Sequence, residues 1–212
     1  MTIKMKLGTV AVAVALLWSL PAHASTVSIG FGPSPVLVAT SPTGITGVSG
    51  LSSGTFLANS VDVFGNPPLV NPQLLASTSL NFTLSGGTMD VWVTSQDNTL
   101  LGPGFMSTLT TNEVPANWTV EQKVWIGPDN ALFGTGMLIA DHTFNSIDTA
   151  VVNAFASPAN PYSITAEYII TATGFGSASS TIEVFSTPEP SSLLLLGTGL
   201  LGLGLSLRRK HR

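Results

Sequence analysis

The 212 residues include no cysteine, carry 7 Lys and Arg against 11 Asp and Glu, and are only 8% charged, where soluble proteins average about a quarter. That length holds one domain with removable ends, and the missing thiols exclude thiolate metal sites, thiol nucleophiles and redox motifs. Between residues 25 and 187 a single cation, Lys123, stands among ten acids, a formal charge of −9 with His neutral; nucleic acid and anionic lipid, which need clustered cations, are therefore not expected as partners of this stretch.

Residues 1–24 read as a signal peptide. Lys4 and Lys6 make a basic start, Leu7 to Leu20 form an apolar run that predicts a helix, and Pro21-Ala22-His23-Ala24 follows. The cations hold the start on the cytoplasmic side, the run enters the bilayer, and Ala22 and Ala24 are small enough for the groove of signal peptidase. Cleavage is expected after Ala24. The run is short for a retained membrane span.

Residues 25–186 are expected to form one all-β ectodomain, because hydrophobicity alternates with a period of two. Trp118 to Ile126 sets Trp118, Val120, Gln122, Val124 and Ile126 on one face, and Thr119, Glu121, Lys123 and Trp125 on the other. Tyr162 to Thr173 alternates in the same way, with Tyr162, Ile164, Ala166, Tyr168 and Ile170 against Thr165, Glu167, Ile169 and Thr171. Ser79 to Leu84, Met89 to Thr94 and Thr181 to Phe185 behave similarly. Turn residues separate the runs at Gly86-Gly87, Gln96-Asp97-Asn98, Gly127-Pro128-Asp129-Asn130 and Gly174-Phe175-Gly176. Ile147, Val151, Val152 and Phe155 fit either one face of a helix or a strand. Residues 30–77, rich in Pro, Gly and Ser, are expected to wrap the sheets as loops and edge strands. Many short antiparallel strands with one wet face predict an antiparallel β-sandwich, with a β-barrel as the alternative.

No catalytic residues are assigned in this domain, and it is not expected to be an enzyme. Its one histidine, His142, follows Asp141, but no Gly-x-Ser-x-Gly elbow accompanies them, so an exposed histidine is the expectation. Asp62, Asp90, Asp97, Asp129, Asp141 and Asp148 are hard oxygen donors of the kind calcium takes. They form no Asp-x-Asp-x-Asp run, so no metal site is assigned and no cofactor is expected, with bound calcium as the alternative. Trp92 and Trp125 are the candidate ligand-binding residues, since each falls on the polar face of its strand, where an indole can stack on a sugar ring while neighbours bond its hydroxyls. The bland reading is that they fill the second face of a covered sheet. Asn81-Phe82-Thr83 and Asn117-Trp118-Thr119 match glycosylation sequons, a pattern common by chance.

Residues 187–212 have three parts in fixed order: Pro188-Glu189-Pro190, then Ser191 to Leu207 built largely of Leu and Gly, then Arg208-Arg209-Lys210-His211-Arg212. Residues 191–207 would be about 25 Å long as a helix, at the lower limit of a transmembrane span. The basic tail 208–212 would stay in the cytoplasm and place Glu189 and all before it outside. This segment closely resembles the PEP-CTERM sorting-signal family, whose members end in a Pro-Glu-Pro motif, a short Leu/Gly-rich helix and an Arg-rich tail; the position before the motif is often Val there and is Thr187 here. The resemblance implies recognition and removal of the signal by exosortase, a multi-pass membrane cysteine transpeptidase, in bacteria that make exopolysaccharide. The expectation is an exported protein, held in the membrane by its C-terminal helix before sorting and then at the cell surface or in the extracellular matrix, with a structural or interaction role. The alternative is a carbohydrate-binding module for exopolysaccharide in a biofilm, with a hydrolase a distant third.

Overall fold

The computed structural model describes residues 25–66, 69, 73–82, 86–99, 104–187, 197, 198 and 200. Ala22 and Ala24 with the rest of the signal peptide, Pro188, Glu189 and Pro190, and the basic tail lie outside these residues, as does the C-terminal helix but for three positions. Among the described residues no helix is long and apolar enough to cross a membrane.

Among the described residues thirteen strands follow one another: β1 (Thr26–Phe31), β2 (Val36–Ser41), β3 (Ile45–Val48), β4 (Leu51–Ser53), β5 (Phe56–Gly65), β6 (Leu74–Phe82), β7 (Gly87–Asn98), β8 (Gly104–Glu113), β9 (Thr119–Gly127), β10 (Met137–Phe144), β11 (Asp148–Phe155), β12 (Tyr162–Ala172) and β13 (Gly176–Thr187). They form a six-stranded sheet in the order β10-β9-β12-β7-β1-β2 and a seven-stranded sheet in the order β11-β8-β13-β6-β5-β3, with β4 paired to β5. Every pairing is antiparallel. Neither sheet closes on itself, so the architecture is two open layers and not a barrel.

The alternation read from the sequence sorts the two faces of the six-stranded sheet. Val120, Val124 and Ile126 of β9, Ile164, Ala166, Tyr168 and Ile170 of β12, and Val91 and Val93 of β7 point inward and are buried. They meet Val61 and Val63 of β5, Leu74, Ala76 and Leu80 of β6, Leu109 of β8 and Ile182 and Val184 of β13 in one core. Polar groups inside that core tie the layers together, because a buried donor needs a partner. The Tyr168 hydroxyl donates to the Ala76 carbonyl at 2.8 Å, and Gln122 Nε2 donates to the Thr110 carbonyl at 2.9 Å. The Tyr162 hydroxyl donates to Gln73 Oε1.

Two regions depart from expectation. Within residues 30–77, β5 is a ten-residue interior strand, not a loop or an edge. Its inward positions are Phe56 and Ala58, then Val61 and Val63, because a register shift between Ala58 and Ser60 moves the alternation by one residue. Such a bulge erases the period-two signal over so short a stretch. At Gln96-Asp97-Asn98, where a turn is expected, β7 runs on to Asn98, and Asp97 takes a left-handed conformation (φ 62°) at its end. Residues 148–155, open to either reading, are a strand.

Candidate functional site

The outward face of the six-stranded sheet is neither bare nor uniformly wet. Register places Ile169, Glu167 and Thr165 of β12 in the middle, with Asp90, Trp92 and Thr94 of β7 on one side and Glu121, Lys123 and Trp125 of β9 on the other. Beyond β9, β10 sets Asp141 beside Lys123. Strands stand about 4.8 Å apart, so side chains on β7 and β9 begin nearly 10 Å from each other across β12. Long aromatic side chains can close that gap by leaning inward.

Trp92 and Trp125 do so, stacking with ring centroids 5.7 Å apart and planes 17° apart. They meet above β12, where Trp92 is level with Glu167 and Trp125 with Thr165. Trp92 also donates from Nε1 to the Gly32 carbonyl at 2.9 Å and is only 8% exposed. Trp125 is half-buried. Trp92 therefore fits the bland reading, an indole filling the second face of a covered sheet, and only Trp125 keeps a partly open surface.

A connection between β9 and β10 completes the cover. Asn130, in a left-handed conformation (φ 54°), donates from Nδ2 to Asp97 Oδ1 at 2.8 Å, and its carbonyl accepts from Gln96 Nε2 at 2.7 Å. Three residues on, the Phe133 amide donates to Thr94 Oγ1 at 3.2 Å. Phe133 itself has φ 51°, which costs a bulky residue free energy and persists only where its surroundings hold it. Its ring occupies the space above Gly30, where a Cβ would lie 2.7 Å from Phe133 Cζ. A side chain at Gly30 would therefore have to displace the Phe133 ring.

Beneath this cover Glu167 is 6% exposed. Burial pushes its carboxyl up to about 7, with the charge of Asp90 adding to the effect, Lys123 opposing it, and Glu121 and Asp141 adding smaller contributions. Asp90 is raised as well, by burial, against the pull of Lys123. Lys123 is raised chiefly by its hydrogen bond to Glu121, at 2.7 Å. The lone cation of the domain thus stands amid four acids, and the most deeply buried of them stays largely protonated below neutrality.

Sequence reasoning placed Glu167 on the correct face without singling it out. One signal was available: it is the only charged residue in the eleven of β12. The other candidates are dispersed. His142 lies exposed on β10 with its ring edge-on to Phe144 at 4.5 Å. Asp97, Asp129 and Asp148 accept hydrogen bonds from Asn130, the Ala131 amide and the Thr149 amide, as turn and strand-end acids do. Among the described residues no three His, Asp or Glu come together as a metal-binding group.

No curated protein matches the chain. Among solved structures it is similar to the enzymatically active domain of tailspike protein 4 from bacteriophage CBA120, at 10% identity and a TM-score of 0.39, over 68% of this chain and only 20% of that one. A carbohydrate-binding module, TmCBM61, solved with β-1,4-galactotriose, is similar at 8% identity and a TM-score of 0.32, over 60% of this chain and 82% of that one. A Stig cyclase from Fischerella sp. TAU follows at 12% identity and a TM-score of 0.34, over 69% and 86%. Likenesses this distant carry no argument about what the chain does. Residues 186–210, which begin at the last two residues of β13, match the family model for the PEP-CTERM protein-sorting motif, so the chain carries over those residues a sorting signal that implies export and exosortase processing.

Proposed function

We propose that the chain is a cell-surface or extracellular-matrix protein whose β domain has a structural or interaction role and no catalytic one. The observation that carries this reading is the junction between domain and signal: β13 runs to Thr187 and the sorting-motif match opens at residue 186. With no intervening linker, whatever becomes of the signal leaves the sandwich itself at the destination. A cysteine-free, sparsely charged domain suits an oxidising exterior. The test is Glu189→Ala in a host with exosortase. The variant should accumulate unprocessed while its ectodomain keeps a wild-type circular dichroism spectrum; processing and localisation identical to wild type would reject the motif's role.

The carbohydrate-binding alternative draws support from one observation, the half-buried Trp125 beside Thr165, Lys123 and Glu121. An exopolysaccharide chain would stack on the open face of that indole, with Trp92 as its backing. Binding on a glycan array that Trp125→Ala abolishes would favour it over the structural role.

A further inference from the structure

Among the described residues five strands lie at the ends of the two sheets, β10 and β2, β11, and β3 with β4, and four of them carry features that discourage a further strand from adding. The β1–β2 ladder breaks register between Ile29 and Gly30, and β10 breaks register between Leu138 and Ala140 and also bears Asp141 and His142. β3 and β4, which both pair with β5, are only four and three residues long. Bulges, charges and brevity are the common defences of an open edge. β11 has none of these along most of its length. Its eight residues, Asp148-Thr-Ala-Val-Val-Asn-Ala-Phe155, pair with β8 without a break, and their only charge is at the first position. Because β11 ends the seven-stranded sheet, among the described residues no strand pairs with its far side, whose backbone donors and acceptors are a template for a further extended strand.

The side chains of β11 identify that strand. Ala150, Val152 and Ala154 face inward and pack against the core. On the outward side Ile147, just before the strand, is 69% exposed, Val151 56% and Phe155 86%. The three are spaced four residues apart with Val151 at the centre, so the row is its own complement. An antiparallel partner related by a two-fold axis at Val151 would set Val151 against its own copy, Ile147 against the partner's Phe155, and Thr149 against the partner's Asn153. On the inward side Asp148 would face the partner's Ala154. No like charges are opposed there, although each domain carries a formal −9.

We propose that β11 is a self-association strand: a second copy of this chain adds to it antiparallel, centred on Val151, and joins two seven-stranded sheets into one. The proposal deepens the structural role suggested above by naming the partner, but its geometry does not depend on sorting.

The absence of cysteine makes the register testable in the full chain on intact cells, whether or not the signal has been removed. In the proposed register the Cα atoms of the two Val151 residues are about 5 Å apart, within disulfide range, whereas the two Asn153 residues are offset by four positions. Under mild oxidation Val151→Cys should yield a species of twice the monomer mass, at least about tenfold more abundant than from Asn153→Cys. Equal cross-linking of the two variants, no cross-link from a normally exported Val151→Cys, or adducts with other proteins in its place would overturn the proposal. A second measurement needs no cysteine: light scattering of the wild-type chain should give a dimer that Val151→Lys converts to monomer, and a wild-type monomer at high protein concentration would equally reject it. If Glu189→Ala fails to alter sorting while Val151→Cys still cross-links, the sorting role falls and the interface stands.

Discussion

Trp92 and Trp125 stack on each other although they stand on β7 and β9, which are not neighbours; the strand between them, β12, places Glu167 level with Trp92. A stacked pair of indoles and a nearly buried carboxyl thus share what would otherwise be the wet side of a sheet. Stability and ionisation meet at this point.

Trp125→Ala removes one of the two stacked rings. A stacked aromatic pair contributes about 0.5–1.5 kcal/mol beyond the area it buries, and Trp125 is only half-buried, so a loss of about 2 kcal/mol is expected, below the usual cost of emptying a core site. Urea unfolding measures it. The near-ultraviolet circular dichroism of the indole pair should collapse at the same time. An unchanged spectrum would mean that the rings do not stack in solution.

Glu167 makes stability depend on pH with a definite sign. Its folded value of about 7 lies above the ordinary 4.5, so the folded state holds the proton more tightly and stability is lost as pH rises from about 4.5 through 7. A shift of that size corresponds to a loss on the order of 3 kcal/mol. Asp90, raised in the same direction, adds to the trend. Glu167→Gln should flatten most of the decline and be the more stable protein at pH 8. Melting temperatures of both proteins between pH 4 and pH 8 provide the comparison, and parallel curves would show that Glu167 is not the titrating group.

Tyr168→Phe deletes the hydroxyl that bridges from β12 to the Ala76 carbonyl of β6. The ring's packing survives, and a net cost of about 1–1.5 kcal/mol is expected for the lost hydrogen bond. Chemical denaturation with an unchanged m-value would locate the effect in the folded state.

Replacement of Ala24 by a bulky residue should block removal of residues 1–24. In the wild type, mass spectrometry of the exported protein should find Ser25 at the amino terminus. Ser25 donates its amide to the Asn66 carbonyl at 3.2 Å, directly before β1, so the terminus left by cleavage after Ala24 would be a residue already tied to the sandwich. An exported form beginning at Met1 would contradict the assignment.

The sequence by itself determined the class of the fold, the sorting motif and the allocation of residues to faces. In β9 and β12 the alternation is unbroken, so each side chain could be assigned inward or outward from spacing alone, and Tyr168, Val124, Glu167 and Trp125 all fall where that spacing puts them. The Pro-Glu-Pro segment with its apolar run and basic tail was equally legible, because a sorting signal is read as linear sequence. Tertiary structure decided the rest. Only strand order could bring β7 and β9 to either side of β12, and without that order Trp92 and Trp125 were two separate indoles and Glu167 one outward acid among others. The interior position of β5 was hidden because one bulge shifts its periodicity by a residue, turning ten residues of strand into apparent irregularity. The open edge at β11 was hidden for a different reason: whether an uncharged strand is protected depends on what lies beside it, and neighbours in a sheet are set by long-range pairing rather than by local sequence.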